Sequence, residues 1–220
     1  MTTVLVVVDA EEASSAWQKT AVEALRQAVA ADGGTIGVAE VPSPADFLCP
    51  LTLNLPKTVN FPGQAVFPAC RDVEELRRQV QQLSYGIGAG SHWLPIVHTA
   101  KGTLYAEAIT LNNDAYQQPL HLSDRLRQPL YALGQQLMRK LAAPPAVYLL
   151  QFGLVNDEVV FDRLWPFPAA AAVASVGIQL PNLYECHWRC LSQQPIVDLA
   201  IAGTVAYSTL AAKTVVSSVQ

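Results

Sequence analysis

The chain has 220 residues, 51% of them hydrophobic and only 15% charged, with a mean hydropathy of +0.23 and a formal net charge of −4. That length can bury a substantial core and suits one large domain, or a domain with a small appendage. The acidic balance and the lack of any long Lys/Arg cluster argue against nucleic acid as the main partner, and no run of 18 apolar residues predicts a membrane span.

Residues 3–8 form an unbroken, valine-rich apolar run, the pattern of a buried strand. A helix follows, with Trp17, Ala21, Leu25 and Ala28 on one face and Ser14 or Ser15 as N-cap; Asp32-Gly33-Gly34 ends it before a second strand over 35–41. Residues 1–41 are thus a βαβ unit. The link between Asp9 and Ser15 has no glycine, so it is not a dinucleotide-binding turn. Residues 42–70 are proline-rich without a helical period and predict an ordered loop or linker, the internal boundary of the chain.

A third segment, 71–220, begins with an amphipathic helix started by Asp72 and carrying Val73, Leu76, Val80 and Leu83 on its apolar face. Strands over 92–99 and 103–111 predict a hairpin around Lys101-Gly102. A long helix over 123–142 carries Leu126, Leu130, Leu133, Leu137 and Leu141, and Pro144-Pro145 stops it. A second hairpin, 147–155 and 158–164, turns at Asn156-Asp157, and a helix over 183–191 precedes the tail. The order predicts an α+β fold with antiparallel sheet layers and packed helices.

The N-terminus lacks a basic segment ahead of its apolar run, and four cysteines in so long a chain do not make a disulfide framework. Both point to a cytoplasmic protein with free thiols. The apolar excess points to a homo-oligomer or a protein partner.

Residues 147–195 carry a recognisable frame. Leu150-Gln151-Phe152 is followed by Asp162-Arg163-Leu164-Trp165-Pro166-Phe167-Pro168, then by Tyr184-Glu185-Cys186-His187-Trp188-Arg189 and Gln194-Pro195-Ile196. This resembles the C-terminal half of ATP-grasp ligases of the carboxyaminoimidazole ribonucleotide synthetase branch. The family pattern there runs Val-Glu-Phe, Asn-Glu-x-x-Pro-Arg-Pro and Phe-Glu-x-His-x-Arg. The resemblance covers roughly residues 72–203 and implies an ATP-grasp-like domain with a nucleotide site at Gln151, Asp162 and Arg163, and a motif helix bearing Glu185, His187 and Arg189.

The departures carry as much as the matches. Glutamates that hold magnesium in the family are Gln151 and Arg163 here, and an arginine is Phe167. Magnesium needs hard anionic oxygen, whereas a guanidinium is a permanent cation with donors only. Asp162 reaches the second glutamate position only by a one-residue shift that breaks the Pro-x-Pro register. The first 70 residues are too few for both an N-terminal domain and an ATP lid. The expectation is a degenerate ATP-grasp protein with no catalytic residue, no metal and no cofactor, acting by protein–protein contact, scaffolding or regulation, with Trp165, Phe167 and Trp188 as interface anchors. The alternatives are an ATP- and magnesium-dependent carboxylate–amine ligase with Asp162, Glu158 or Glu185 in a shifted register, and a nucleotide sensor using Arg163 as a phosphate contact.

Three other patterns are weaker. Cys186-His187-x-x-Cys190 lacks a close second ligand pair for zinc, and adjacent helical residues point about 100° apart, which prevents a Cys–His nucleophilic pair. Residues 84–90 are glycine-rich but lie between a helix and a strand, so they read as a flexible connector rather than a phosphate loop.

Overall fold

The computed structural model describes residues 1–9 and 15–202 in full, and the backbone alone of 204–208 and 214–217. From β1 (Thr3–Val7) the chain passes through α1 (Ala16–Ala31) to β2 (Thr35–Ala39) and on to β3 (Phe47–Pro50). The three strands form a parallel sheet with β1 in the centre, as its four buried residues require. Ser15 caps α1 by accepting from the Gln18 amide at 3.4 Å; the other candidate, Ser14, lies outside the described residues. Gly33, at φ +72°, takes the left-handed turn that closes the helix, and the Gly34 amide returns to the Val29 carbonyl.

The proline-rich stretch is more than a linker, because it supplies β3 and then α2 (Val66–Arg71). Its prolines hid both elements. Pro50 ends β3 at a sheet edge, where a missing donor costs little, and α2 is a six-residue helix too short for a period to show. Next comes α3 (Val73–Gln81), capped by Asp72 accepting from the Glu75 amide.

The second sheet is built from β4 (Gly86–Ile87), β5 (His92–Thr99), β6 (Gly102–Tyr105), β7 (Ala108–Asn112) and β8 (Ala115–Leu120). After α4 (Asp124–Lys140) it continues with β9 (Ala146–Val155) and β10 (Glu158–Trp165). A 3₁₀ turn over Ala170–Ser175, β11 (Gln179–Leu180), α5 (Leu183–Leu191), β12 (Ala200–Ile201), β13 (Thr204–Ser208) and β14 (Thr214–Ser217) complete the chain. The spatial order is β14-β13-β8-β7-β5-β9-β10-β4, with β6 also on β5; β11 and β12 form a small separate ribbon. The fold is α+β, with mainly antiparallel pairs in this sheet.

The segment expected as one strand over 103–111 divides into β6 and β7, and both pair with β5. Pro95 explains the break. Its carbonyl accepts from Ala106, so the donor it lacks would have faced the same neighbour. The ladder therefore has a gap where the partner kinks. β8 was not legible either, because Gln117, Gln118 and Pro119 obscure an alternation.

Two cores flank the sheet. Val147 and Leu149 of β9 face a cluster shared with Val4, Val6, Leu25 and Leu183. Tyr148, Leu150 and Phe152 face α3 and α4 through Leu76, Leu133 and Leu137. The first core runs through both the N-terminal parallel sheet and the main sheet, so the βαβ unit packs as part of a common body.

Candidate functional site

The hairpin of β9 and β10 turns at Asn156-Asp157, both at positive φ (52° and 59°), as the sequence predicts. Its register jumps between Phe161, paired with Phe152, and Arg163, paired with Gln151. Asp162 is the extra residue of a β-bulge, so Asp162 and Arg163 together oppose Gln151.

What surrounds Asp162 decides its chemistry. Its carboxylate is 2.6 Å from Arg77 Nη2, accepts from the Gly90 amide at 2.9 Å and from Gln151 Nε2 at 3.1 Å, and lies 3.6 Å from Arg163 Nε. Arg77 Nε also donates to the Asp162 carbonyl at 3.0 Å. Gln151 is spent as well: Nε2 donates to the Gly90 carbonyl at 2.7 Å, and Oε1 accepts from Trp165 Nε1 at 3.0 Å. The Arg163 guanidinium sits 5.6 Å from the Trp165 ring. Asp162 is only 5% exposed, and a buried carboxylate in such a setting is a fastener that joins α3, β9, β10 and the glycine loop.

These residues do not fit a magnesium ion. The cation would need several hard oxygens at about 2.0–2.1 Å. The strand pair offers one buried carboxylate, already surrounded by donors, with a guanidinium on either side. Glu158 lies exposed at the hairpin end and Glu185 on α5, so neither joins Asp162 to complete a ligand set. Among the described residues no group of three or more His, Cys, Asp or Glu could hold a metal.

The glycine loop is not a free connector. β4 runs parallel to β10, the Gly88 amide donates to the Phe161 carbonyl at 3.0 Å, and Gly90 lies so close to the Phe152–Gly153 backbone that a Cβ would collide with it. Sequence reasoning missed Gly90 and Arg77. The alternation Gly86, Gly88, Gly90 was the available signal, since every second residue of an extended segment meets the same neighbour.

The motif helix α5 is placed as expected, Leu183–Leu191, with Asn182 accepting from the Tyr184 and Glu185 amides at 3.0 Å each. Its polar residues tie elements together. His187 is 2% exposed and its Nδ1 accepts from the Val147 amide at 3.1 Å; burial pushes its pKa down to about 3, so the ring is neutral. Glu185 and Arg189 pair at 2.6 Å along the helix. Trp188 Nε1 donates to Asp32 at the end of α1, which also accepts from Gln194 Nε2; these two bonds hold the Asp32 carboxyl below its usual range. All four cysteines are free and buried, and burial raises every thiol, Cys49, Cys70 and Cys190 to about 12.

The expected interface anchors need correcting. Phe167 is 2% and Trp188 3% exposed, each enclosed by the chain's own core; Phe167 stacks on Phe67 and Trp188 meets Phe47 edge-on. Only Trp165 is part-exposed, and it faces inward. It lines a cavity of about 430 Å³ between the carboxyl ends of β1 and β3 and the main sheet. Ligands favour this position in open parallel sheets. Trp17, Trp93 and Tyr116 share the walls, with Asp9, Thr52, Asn54, Arg71 and Gln151 as the main polar groups.

No protein-family model matches the sequence, and no curated protein matches it. Solved structures do. N5-carboxyaminoimidazole ribonucleotide synthetase from Thermus thermophilus matches 93% of this chain and 82% of its own, with a TM-score of 0.73 and 12% identity. N5-carboxyaminoimidazole synthetase from Staphylococcus aureus, complexed with ADP, matches 93% and 81%, at TM-score 0.75 and 7% identity. Glycinamide-RNase-transformylase T from Mycobacterium tuberculosis matches 93% and 83%, at TM-score 0.67 and 14% identity. The fold is ATP-grasp-like. Identities this low establish the architecture and leave activity to the site.

Proposed function

We propose that this chain is a non-catalytic protein of ATP-grasp-like fold that works by binding, as a scaffold or regulator, rather than by turnover. The observation that carries this reading is the state of Asp162. The one buried carboxylate of the β9–β10 pair is held by Arg77, the Gly90 amide and Gln151, and Arg163 stands beside it. A site built for phosphoryl chemistry needs anionic oxygen free to meet a cation. Here the buried carboxylate is committed to its own chain, and the exposed Glu158 stands apart from it at the hairpin end.

The reading includes self-association or a protein partner in the cytoplasm. Support comes from the apolar composition, from Val38 and Val41 at the β2 edge, and from Leu154 and Val155 at the hairpin end, all exposed. Among the described residues no helix is long and apolar enough to cross a membrane.

Calorimetry with ATP, with and without magnesium, tests the central claim, together with phosphate release. The expected result is no magnesium-dependent binding and no release. Tight magnesium-dependent binding would establish the ligase alternative, and magnesium-independent ATP binding lost in Arg163→Met would establish a nucleotide sensor. Light scattering at micromolar concentration tests self-association: a mass above 23.7 kDa is expected, and a clean monomer ends that part of the reading.

A further inference from the structure

Two cavities share Arg71 as a wall. The larger, about 430 Å³, holds three part-exposed aromatic rings, those of Trp17, Tyr116 and Trp165. The smaller, about 330 Å³, is mainly apolar and adds Lys57. Together they have the size and the apolar lining, with few polar groups, of a small-molecule site.

Formal charge around this double cavity balances, but its anions and its cations differ in how their hydrogen-bonding groups are engaged. Asp9 accepts from Asn54 Nδ2 at 2.7 Å and Thr52 Oγ1 at 3.3 Å, while Asp72 accepts from the Glu75 amide as the α3 cap. Both carboxylates are thus engaged by neutral donors of their own chain. The cations are differently placed. Arg71 donates through Nη2 to the carbonyls of Leu53 and Leu55, which positions the guanidinium and leaves its Nε and Nη1 donors uncommitted. Among the described residues neither Arg71 nor Lys57 has a carboxylate within ion-pair distance.

We infer that the two cavities form one site for a planar aromatic compound bearing a carboxylate or phosphate, its ring among Trp17, Tyr116 and Trp165 and its anionic group on Arg71, with Lys57 nearby. This rests on the reading of a binding protein and names the class of what is bound. Flat rings present quadrupolar faces and large apolar area to a planar ligand, and a guanidinium matches an oxyanion in a two-donor geometry. The anion also sits beside two cations, which favour its charge.

The test is calorimetry on the full chain with four probes of one ring system: 2-naphthoate, 2-naphthyl phosphate, 2-naphthalenemethanol and 2-naphthylmethylammonium. Both anions should bind at least tenfold more tightly than the alcohol, with the ammonium weakest; the tighter anion identifies the group. Arg71→Met should remove that anion preference and leave the alcohol unchanged, while Arg71→Lys, which also checks for a folding defect, should retain part of it. Trp165→Leu should weaken all four. Absence of binding, an alcohol as tight as the anions, or an anion preference that survives Arg71→Met would overturn the inference. Magnesium-dependent ATP binding in the same instrument would overturn the non-catalytic reading alone and leave the naphthyl series standing.

Discussion

The knot around Asp162 and the cavity around Arg71 lie on either side of Gln151, and they use charge in opposite ways. At the knot a buried carboxylate accepts from Arg77, the Gly90 amide and Gln151, and its Arg77 partner is only 21% exposed. At the cavity a guanidinium touches backbone carbonyls and keeps donors to spare. The first is a structural fastener; the second is the proposed site, with no motif to announce it. Resemblance drew attention to the strand pair because its residue types are conspicuous, yet satisfaction of hydrogen bonds separates a fastener from a receptor.

The sharpest way to break this contrast is Asp162→Ala. Removing the carboxylate leaves the Gly90 amide unpaired and leaves Arg77 with Glu74 and the residue-162 carbonyl alone, and the expected loss is about 2–4 kcal/mol in urea unfolding; a loss under about 1 kcal/mol would mean the knot is not a fastener. Gln151→Glu comes next. It places a second carboxylate beside Asp162 and the Gly90 carbonyl, where the amide now donates. Like charge raises the new group's folded pKa, so the variant should lose about 1–3 kcal/mol at neutral pH and recover as pH falls through that raised value toward the unfolded one near 4.3. Restored catalysis in that variant would instead reopen the ligase alternative.

His187 extends the test to α5. Its folded pKa, about 3, is below the ordinary 6.5, so the unfolded chain binds a proton that the folded one refuses. Stability should therefore fall as pH drops from 6.5 toward 3, by about 2 kcal/mol at pH 5. His187→Gln should flatten that slope, read from unfolding midpoints. The smallest effect is predicted at the cavity. Arg71→Met loses hydrogen bonds to two carbonyls and should cost about 1 kcal/mol or less, because ligand recognition rather than folding occupies the rest of its donors.

The ease of reading varied with how local the cause was. α5 and the β9–β10 turn were legible because Asn182 caps, a 3.6-residue period and Asn156-Asp157 act over a few residues. β3, β8 and the β6–β7 break were not, since prolines at 50, 119 and 95 weaken the pattern while neighbouring strands impose pairing. Gln151, Asp162 and Arg163 lie together in the structure, but the bulge that sets both Asp162 and Arg163 against Gln151 depends on a register no single strand encodes. Arg77, Gly90 and Arg71 were invisible as partners: each acts across 18 to 85 residues of chain, a separation that no short motif spans.

The bond from Trp188 to Asp32 crosses 156 residues. Helix α1 leaves the ribosome with its Leu25 and Val29 face uncovered, and the helix it packs against is made 156 residues later. At ordinary synthesis speeds that interval is on the order of ten seconds. During it the nascent N-terminal segment presents an apolar stripe to any chaperone or neighbouring chain, so the wait for α5 is the period in which this protein is most exposed to misassembly.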